Sequence, residues 1–183
     1  MVEEWVRSGL QHAVICPGSR STPLALALAE ATGLRCWSVV DERSAAFFAL
    51  GLAKQTGTAA VVVCTSGSAG AHFFPAVIEA AMGQVPLLVV TADRPPELHG
   101  WGAQQSIPQQ DLYGGYSRFF ADLPVPEART ESVLHLRATA AQAFATAHRA
   151  PRGPVHLNAP FREPLAPEED PAPLPPLSAL ALD

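Results

Sequence analysis

The feature that most constrains this chain is a repeated unit: a short apolar run, a polar turn, then an amphipathic stretch. The first run covers residues 12–16 and is followed by Pro-Gly-Ser-Arg-Ser-Thr-Pro at 17–23. A helix is predicted from about 23 to 31, with Thr22 as its N-cap and Pro23 at the first helical position, where a missing N–H costs nothing. The second run, 36–40, leads into Asp-Glu-Arg-Ser at 41–44, a helical stretch over 45–55 and a stop at Gly57. The third, 59–64, leads into Thr-Ser-Gly-Ser at 65–68 and a helix to about 82, with a kink expected at Pro75. The fourth, 86–91, ends in Ala-Asp-Arg-Pro-Pro at 92–96. Runs of Val, Ile and Leu that alternate with helices imply strands buried on both faces. The expected fold class is therefore α/β, a doubly wound parallel sheet with helices on both faces. Crossovers in such a sheet are right-handed, and ligands collect beyond the carboxyl ends of its strands. All four polar turns lie at those ends and converge on one edge.

The stretch 97–117 breaks the pattern. It is rich in glutamine and glycine and too long for a simple connection, which marks it as a functional or mobile loop. A strand near 119–123, a helix near 131–148 and a strand near 155–158 complete the domain. From Pro164 the chain turns to proline, alanine and acidic residues, so the expected organisation is one domain over 1–163 and a linker over 164–183. A chain ending in such a stretch reads as cut from a longer protein, and the amphipathic segment at 2–10 begins abruptly.

Composition excludes several classes of function. With 48% hydrophobic and 16% charged residues, the 183-residue chain buries one core and is not disordered. A formal charge of -5, without a Lys/Arg cluster, argues against a nucleic-acid partner. No apolar run approaches the roughly 20 residues that span a bilayer. The three cysteines, Cys16, Cys36 and Cys64, form no CxxC and read as small buried thiols in a reducing cytoplasm. The six histidines show no metal-binding spacing, so no metal is expected on this chain.

Each polar turn carries candidate chemistry beside a plainer alternative. Glu42 is either a carboxylate facing the cleft at a strand end or an acidic residue favoured in the first turn of a helix. Ser19 and Arg20 form either an anion clamp or a helix cap with a solvated arginine. Thr-Ser-Gly-Ser at 65–68 lacks the ending of a Walker A loop and is not G-x-S-x-G, which disfavours Ser66 as a hydrolase nucleophile. Gly67 suits close packing of backbone against a flat ligand. Arg94 is either a second guanidinium at the same edge or half of a surface ion pair.

Six segments taken in order resemble one family. They are Cys-Pro-Gly-Ser-Arg-Ser-Thr-Pro-Leu at 16–24, Asp-Glu-Arg-Ser-Ala-Ala-Phe-Phe at 41–48, Cys-Thr-Ser-Gly at 64–67, Phe-Pro-Ala-Val-Ile-Glu-Ala at 74–80, Thr-Ala-Asp-Arg-Pro-Pro-Glu-Leu at 91–98, and Gly-Pro-Val-His-Leu-Asn-Ala-Pro at 153–160. Together they resemble the pyrimidine-binding domain of the 2-succinyl-5-enolpyruvyl-6-hydroxy-3-cyclohexene-1-carboxylate synthases (SEPHCHC synthases). These thiamine-diphosphate enzymes of menaquinone biosynthesis decarboxylate 2-oxoglutarate and add the succinyl-semialdehyde unit to isochorismate.

The resemblance implies that Glu42 is catalytic, hydrogen-bonding N1′ of the cofactor pyrimidine. It implies that Ser66 and Gly67 join Glu42 in cofactor contact, and that Ser19, Arg20, Arg94 and Gln105 contact substrate. It further implies a homo-oligomer, dimer or tetramer, whose active site is completed by another subunit. No Gly-Asp-Gly followed by asparagine is present, so Mg2+ and the cofactor's diphosphate are expected on a domain absent from this chain. The isolated chain is expected to be inactive and to bind no cofactor. Two departures stand out: His72 where the family has asparagine, and Gln104 in the family's Gly-Ala-Asn-Gln segment. The rival readings are the same domain of an acetolactate synthase or 2-oxoacid decarboxylase, and a non-catalytic doubly wound binding module.

Overall fold

The computed structural model describes residues 1–167. Its six strands are β1 (His12–Ile15), β2 (Arg35–Ser38), β3 (Ala60–Cys64), β4 (Leu87–Asp93), β5 (Phe120–Asp122) and β6 (Pro154–Pro160). All pair in parallel, in the order β2-β1-β3-β4-β6-β5. The helices are α1 (Val2–Arg7), α2 (Thr22–Glu30), α3 (Glu42–Thr56), α4 (Phe74–Met82) and α5 (Thr130–His148).

The pleat divides the apolar strand residues between two cores. Val61, Val63, Leu88 and Val90 face a core shared with Trp5, Leu24, Leu28, Ala143 and Phe144. Ala60, Val62, Leu87 and Val89 face a second core with Ala45, Ala49, Phe73 and Val77. Alternate side chains of a strand point to opposite faces, so both sides of β3 and β4 are buried and the fold is doubly wound. The expected parallel sheet with helices on both faces is the observed one. The chain runs from β1 outward to β2 and then returns to β3 on the other side of β1, which puts a topological switch point between β1 and β3.

At that switch point the turn after β1 lies against the turn after β3. A Cβ on Gly18 would collide with the Thr65 side chain, so glycine is what lets the two turns meet.

Several local expectations are corrected. The second apolar run does not form a buried strand over 36–40. β2 is an edge strand bonded only to β1, and Val40 beyond it is 80% exposed. Cys36 is accordingly exposed, with Sγ donating to the Leu28 carbonyl at 3.3 Å, whereas Cys16 and Cys64 are buried. Burial first, then the nearby Glu42 and Asp41 carboxylates, pushes the Cys16 thiol up to about 12. Thr22 is not an N-cap: a 3-10 turn over Ser19–Ser21 precedes it, and Ser21 holds the cap position without a side-chain cap bond. The helix expected to kink at Pro75 is two elements, a 3-10 segment Gly67–Phe73 and then α4, which carries proline in its first turn. Proline at that position starts a helix and does not bend one. The expected linker over 164–183 falls largely on 168–183, outside the described residues.

Helix α3 has the two signals its sequence promises. Asp41 accepts from the Ser44 N–H at 2.8 Å, and Gly57 closes the helix in the left-handed region at φ 71°. Hydrogen bonds from Ser44, side chain and then backbone, hold the Asp41 carboxyl below the ordinary aspartate range. Such a group stabilises the folded chain above its unfolded pKa, and the contribution is lost as pH falls through the depressed folded value. Asp41→Asn keeps the cap and removes the charge, so its acid-induced loss of melting temperature should be shallower than the wild type's below about pH 4. Superimposable melting profiles in that range would dismiss the contribution.

Candidate active site

Glu42 is the first residue of α3, and its half-buried carboxylate lines a cleft of about 380 Å³. The facing walls come from Thr65–Ala69, after β3, and from Gln105, Ser106 and Ile107 of the long loop; His72 stands at the same cleft. Among the described residues, the Glu42 side chain makes no hydrogen bond or ion pair. The carboxylate is therefore free to accept from a group that enters the cleft. A larger cavity of about 680 Å³ opens between α1, α2 and α5, but it is lined mainly by apolar residues such as Leu24, Val133 and Leu136. None of the sequence-predicted site residues lies there. Converging polar groups mark a catalytic site better than size does, which favours the smaller cleft.

The Gly67 turn forms the wall opposite Glu42. Gly67 has φ +83°, and a Cβ there would stand 3.0 Å from the Gln105 carbonyl oxygen. A side chain at 67 would therefore strain the turn and push the long loop away. Ser66 is buried, and its Oγ accepts a hydrogen bond from Arg94 Nη1. This contact joins the end of β3 to the end of β4 and links Arg94 to the cleft through Ser66.

Arg20 approaches the same edge from the turn after β1. Its guanidinium is buried: Nη1 donates to the Phe161 carbonyl at 2.9 Å, and Nη2 lies 3.4 Å from Glu163. Its Nε has no partner. Burial, and after it the neighbouring Arg20, lowers the pKa of Arg94 from the ordinary guanidinium value, while Asp93 and Glu163 oppose the shift. Two guanidiniums gathered at one sheet edge make a site that an anion would relieve. Ser19 is exposed in its 3-10 turn. Thus Glu42, Ser66, Gly67 and Gln105 line one cleft, Arg94 joins it through Ser66, Arg20 lies beside Arg94, and Ser19 stays outside. Of the two departures, His72 lines the cleft and Gln104 is exposed outside it.

One group escapes sequence reasoning. Gln109 sits in the glutamine-rich loop and is 0% exposed. Its Oε1 accepts from the Gly67 N–H at 2.7 Å, and its Nε2 donates to the Ala92 carbonyl at 3.0 Å and to Asn158 Oδ1 at 2.9 Å. Asn158 Nδ2 donates in turn to Asp93 at 2.9 Å and to Asp122 at 2.8 Å. Asp93 also accepts from the Arg94 N–H at 2.7 Å. Composition does not separate Gln109 from Gln104, Gln105 or Gln110. The nearest signal is the apolar pair Leu112-Tyr113 just after it, where the loop must dip into the core; Tyr113 is buried and donates to the Gly70 carbonyl at 2.8 Å.

Comparison with known proteins gives the family of this domain. The family described as "Thiamine pyrophosphate enzyme, N-terminal TPP binding domain" matches residues 1–112. A Myxococcus xanthus protein named 2-succinyl-5-enolpyruvyl-6-hydroxy-3-cyclohexene-1-carboxylate synthase is 64% identical over 181 residues, covering 99% of this chain and 31% of the relative. Proteins of the same name from Geobacillus kaustophilus and Roseiflexus castenholzii are 54% and 52% identical, over 94% and 100% of this chain and 30% and 32% of their own lengths. The chain spans just under a third of the length of these curated relatives.

Proposed function

Because the chain belongs to the thiamine pyrophosphate enzymes, as their N-terminal TPP-binding domain, we propose that residues 1–163 are the pyrimidine-binding domain of a SEPHCHC synthase. The observation that carries this reading is the Glu42 carboxylate in a cleft whose Ser66 wall is hydrogen-bonded by Arg94.

The cleft suits the cofactor's pyrimidine ring. Glu42 offers an acceptor that the chain leaves unused, and the Gly67 turn presents backbone where a side chain would intrude. Bound thiamine diphosphate supplies the nucleophilic carbon at which a 2-oxo acid loses carbon dioxide. The chain contributes the proton relay: a Glu42 oxygen shares a proton with the ring nitrogen N1′, in a half-buried position that strengthens the bond. Ser66 and Gly67 form the wall against which the ring packs. Arg94 and Arg20, with Gln105, bind the carboxylates of 2-oxoglutarate and isochorismate, two acids for which planar guanidinium forks are suited; Ser19, exposed in its turn, is left out of this set. Arg20 is anchored through Nη1 on the Phe161 carbonyl, which leaves its Nη2, 3.4 Å from Glu163, to meet an anion.

In this reading Mg2+ and the diphosphate belong to a domain outside the chain, residues 164–183 lead towards a central domain, and a second subunit of a cytoplasmic homo-oligomer closes the site. Among the described residues no helix is long and apolar enough to cross a membrane, and no group of His, Cys, Asp and Glu is arranged to hold a metal ion.

The test follows isochorismate consumption with 2-oxoglutarate, thiamine diphosphate and Mg2+, using the full-length protein beside this chain. Consumption that requires both substrates is expected from the full-length protein, and none from the chain. A well-folded full-length protein that leaves isochorismate untouched would return the assignment to other thiamine enzymes.

A further inference from the structure

We propose that Gln109 is a positioning residue, which fixes the Gly67 wall of the Glu42 cleft by clamping that turn to the ends of β4 and β6. This deepens the function proposed above and rests on it for the cofactor part of its test.

The hydrogen-bond directions are determined throughout. Thr91 Oγ1 has one proton and donates it to Asn158 Oδ1 at 2.9 Å, so it must accept from His156 Nε2 at 2.8 Å. Asn158 then has its oxygen facing Thr91 and Gln109 and its NH2 facing Asp93 and Asp122. With the Asn158 oxygen so placed, Gln109 must present its NH2 to Asn158 and Ala92. Its oxygen is left to one donor, the Gly67 N–H. The carboxamide admits one orientation, and that orientation dictates where the Gly67 peptide lies.

The Gln105 backbone lies so close to Gly67 that a Cβ there would stand 3.0 Å from its carbonyl oxygen, so the same clamp sets the gap between the two walls. Arg94 is tied in through its own N–H to Asp93 and its side chain to Ser66. The Gln109 and Asn158 carboxamides each have their oxygen and their NH2 engaged, which rigidifies what they hold, and a wall displaced by a fraction of an ångström costs ligand fit before it costs the fold.

Gln109→Met keeps the length and removes the clamp; Gln109→Glu keeps the acceptor for Gly67 but turns a donor towards Ala92 and Asn158 into a second acceptor. Amide hydrogen exchange on this chain reads the clamp without any activity. In Gln109→Met the Gly67 amide should exchange at least about tenfold faster while β4 and β6 amides keep their protection. In the full-length protein the same substitution should raise the apparent KM for thiamine diphosphate about tenfold with kcat within about threefold, as expected for lost positioning of a bound group. Gln109→Glu should show the same split.

Unchanged Gly67 exchange in Gln109→Met would overturn the proposal. So would faster exchange spread evenly through β4 and β6, or a fall in kcat with KM unmoved. If the unsubstituted full-length protein turns over no substrate, the synthase reading fails by itself, and the exchange of Gly67 still decides whether the clamp exists.

Discussion

Replacing Glu42 with glutamine in the full-length protein should lower turnover by about 10²- to 10⁴-fold, the range that removal of a positioned general acid–base group costs. The fold should survive. Glu42 heads α3 but does not cap it, since the cap is the Asp41 carboxylate on the Ser44 N–H. No described residue hydrogen-bonds or ion-pairs with the Glu42 carboxylate, so the substitution leaves no partner orphaned. Glutamine fills the same volume and still offers an oxygen, but it cannot exchange a proton with a ring nitrogen. Steady-state kinetics together with a thermal melt check both halves. A variant that melts normally and turns over at the wild-type rate would remove Glu42 from the chemistry and favour a binding module.

The second large effect concerns acid stability and can be measured on the chain itself. His156 is buried in β6, with ring centroids 4.7 Å from Tyr113 and 5.1 Å from Phe120. Its Nε2–H is spent on Thr91 and its Nδ1 has no partner, so a second proton would meet no acceptor. Burial accordingly lowers its pKa to about 3. In the unfolded chain the imidazole titrates near 6.5, so between about pH 6.5 and 3 the unfolded state holds a proton that the folded state refuses. Stability from this group is therefore complete above pH 6.5 and falls as the solution is acidified through that window. At pH 4.5 the loss is about 2–3 kcal/mol. Urea unfolding at pH 7 and pH 4.5 should show the wild type losing that much more than His156→Leu. The variant's own packing cost cancels in the comparison. Equal losses in the two proteins would show that the acid-sensitive group lies elsewhere.

How much of this was legible beforehand depended on how local the cause was. The βα units at β1, β3 and β4 announce themselves through apolar runs and glycine- or serine-bearing turns, and the turns at their carboxyl ends do meet: Gly18 lies against Thr65, and Arg94 bonds Ser66. The Asp41 cap and the Gly57 stop of α3 are likewise local signals, satisfied within a few residues. The second strand was misjudged because Cys36-Trp-Ser-Val-Val reads as apolar, while its place at the sheet edge, beside β1 alone, is decided by the order in which strands pair. Helix α4 was misjudged because proline inside a helical pattern reads as a kink until the 3-10 segment before it is seen.

The sequence by itself determined the fold class and the placing of polar turns at the carboxyl ends of the strands, and the family resemblance it carries singled out Glu42, Ser66, Gly67, Gln105 and Arg94 as the residues to watch. Strand periodicity, turn chemistry and ordered motifs are all properties of neighbouring residues, and they survive without coordinates. Only the tertiary structure decided that Arg20 turns towards Phe161, that Ser19 stays in solvent, and that one glutamine of a glutamine-rich loop is the buried clamp. Gln109 finds its partners 42 and 49 residues away, at Gly67 and Asn158. A hydrogen bond across that separation has no local signature. It exists because the switch between β1 and β3, and the pairing of β4 with β6, bring three distant polar groups to a place that water does not reach.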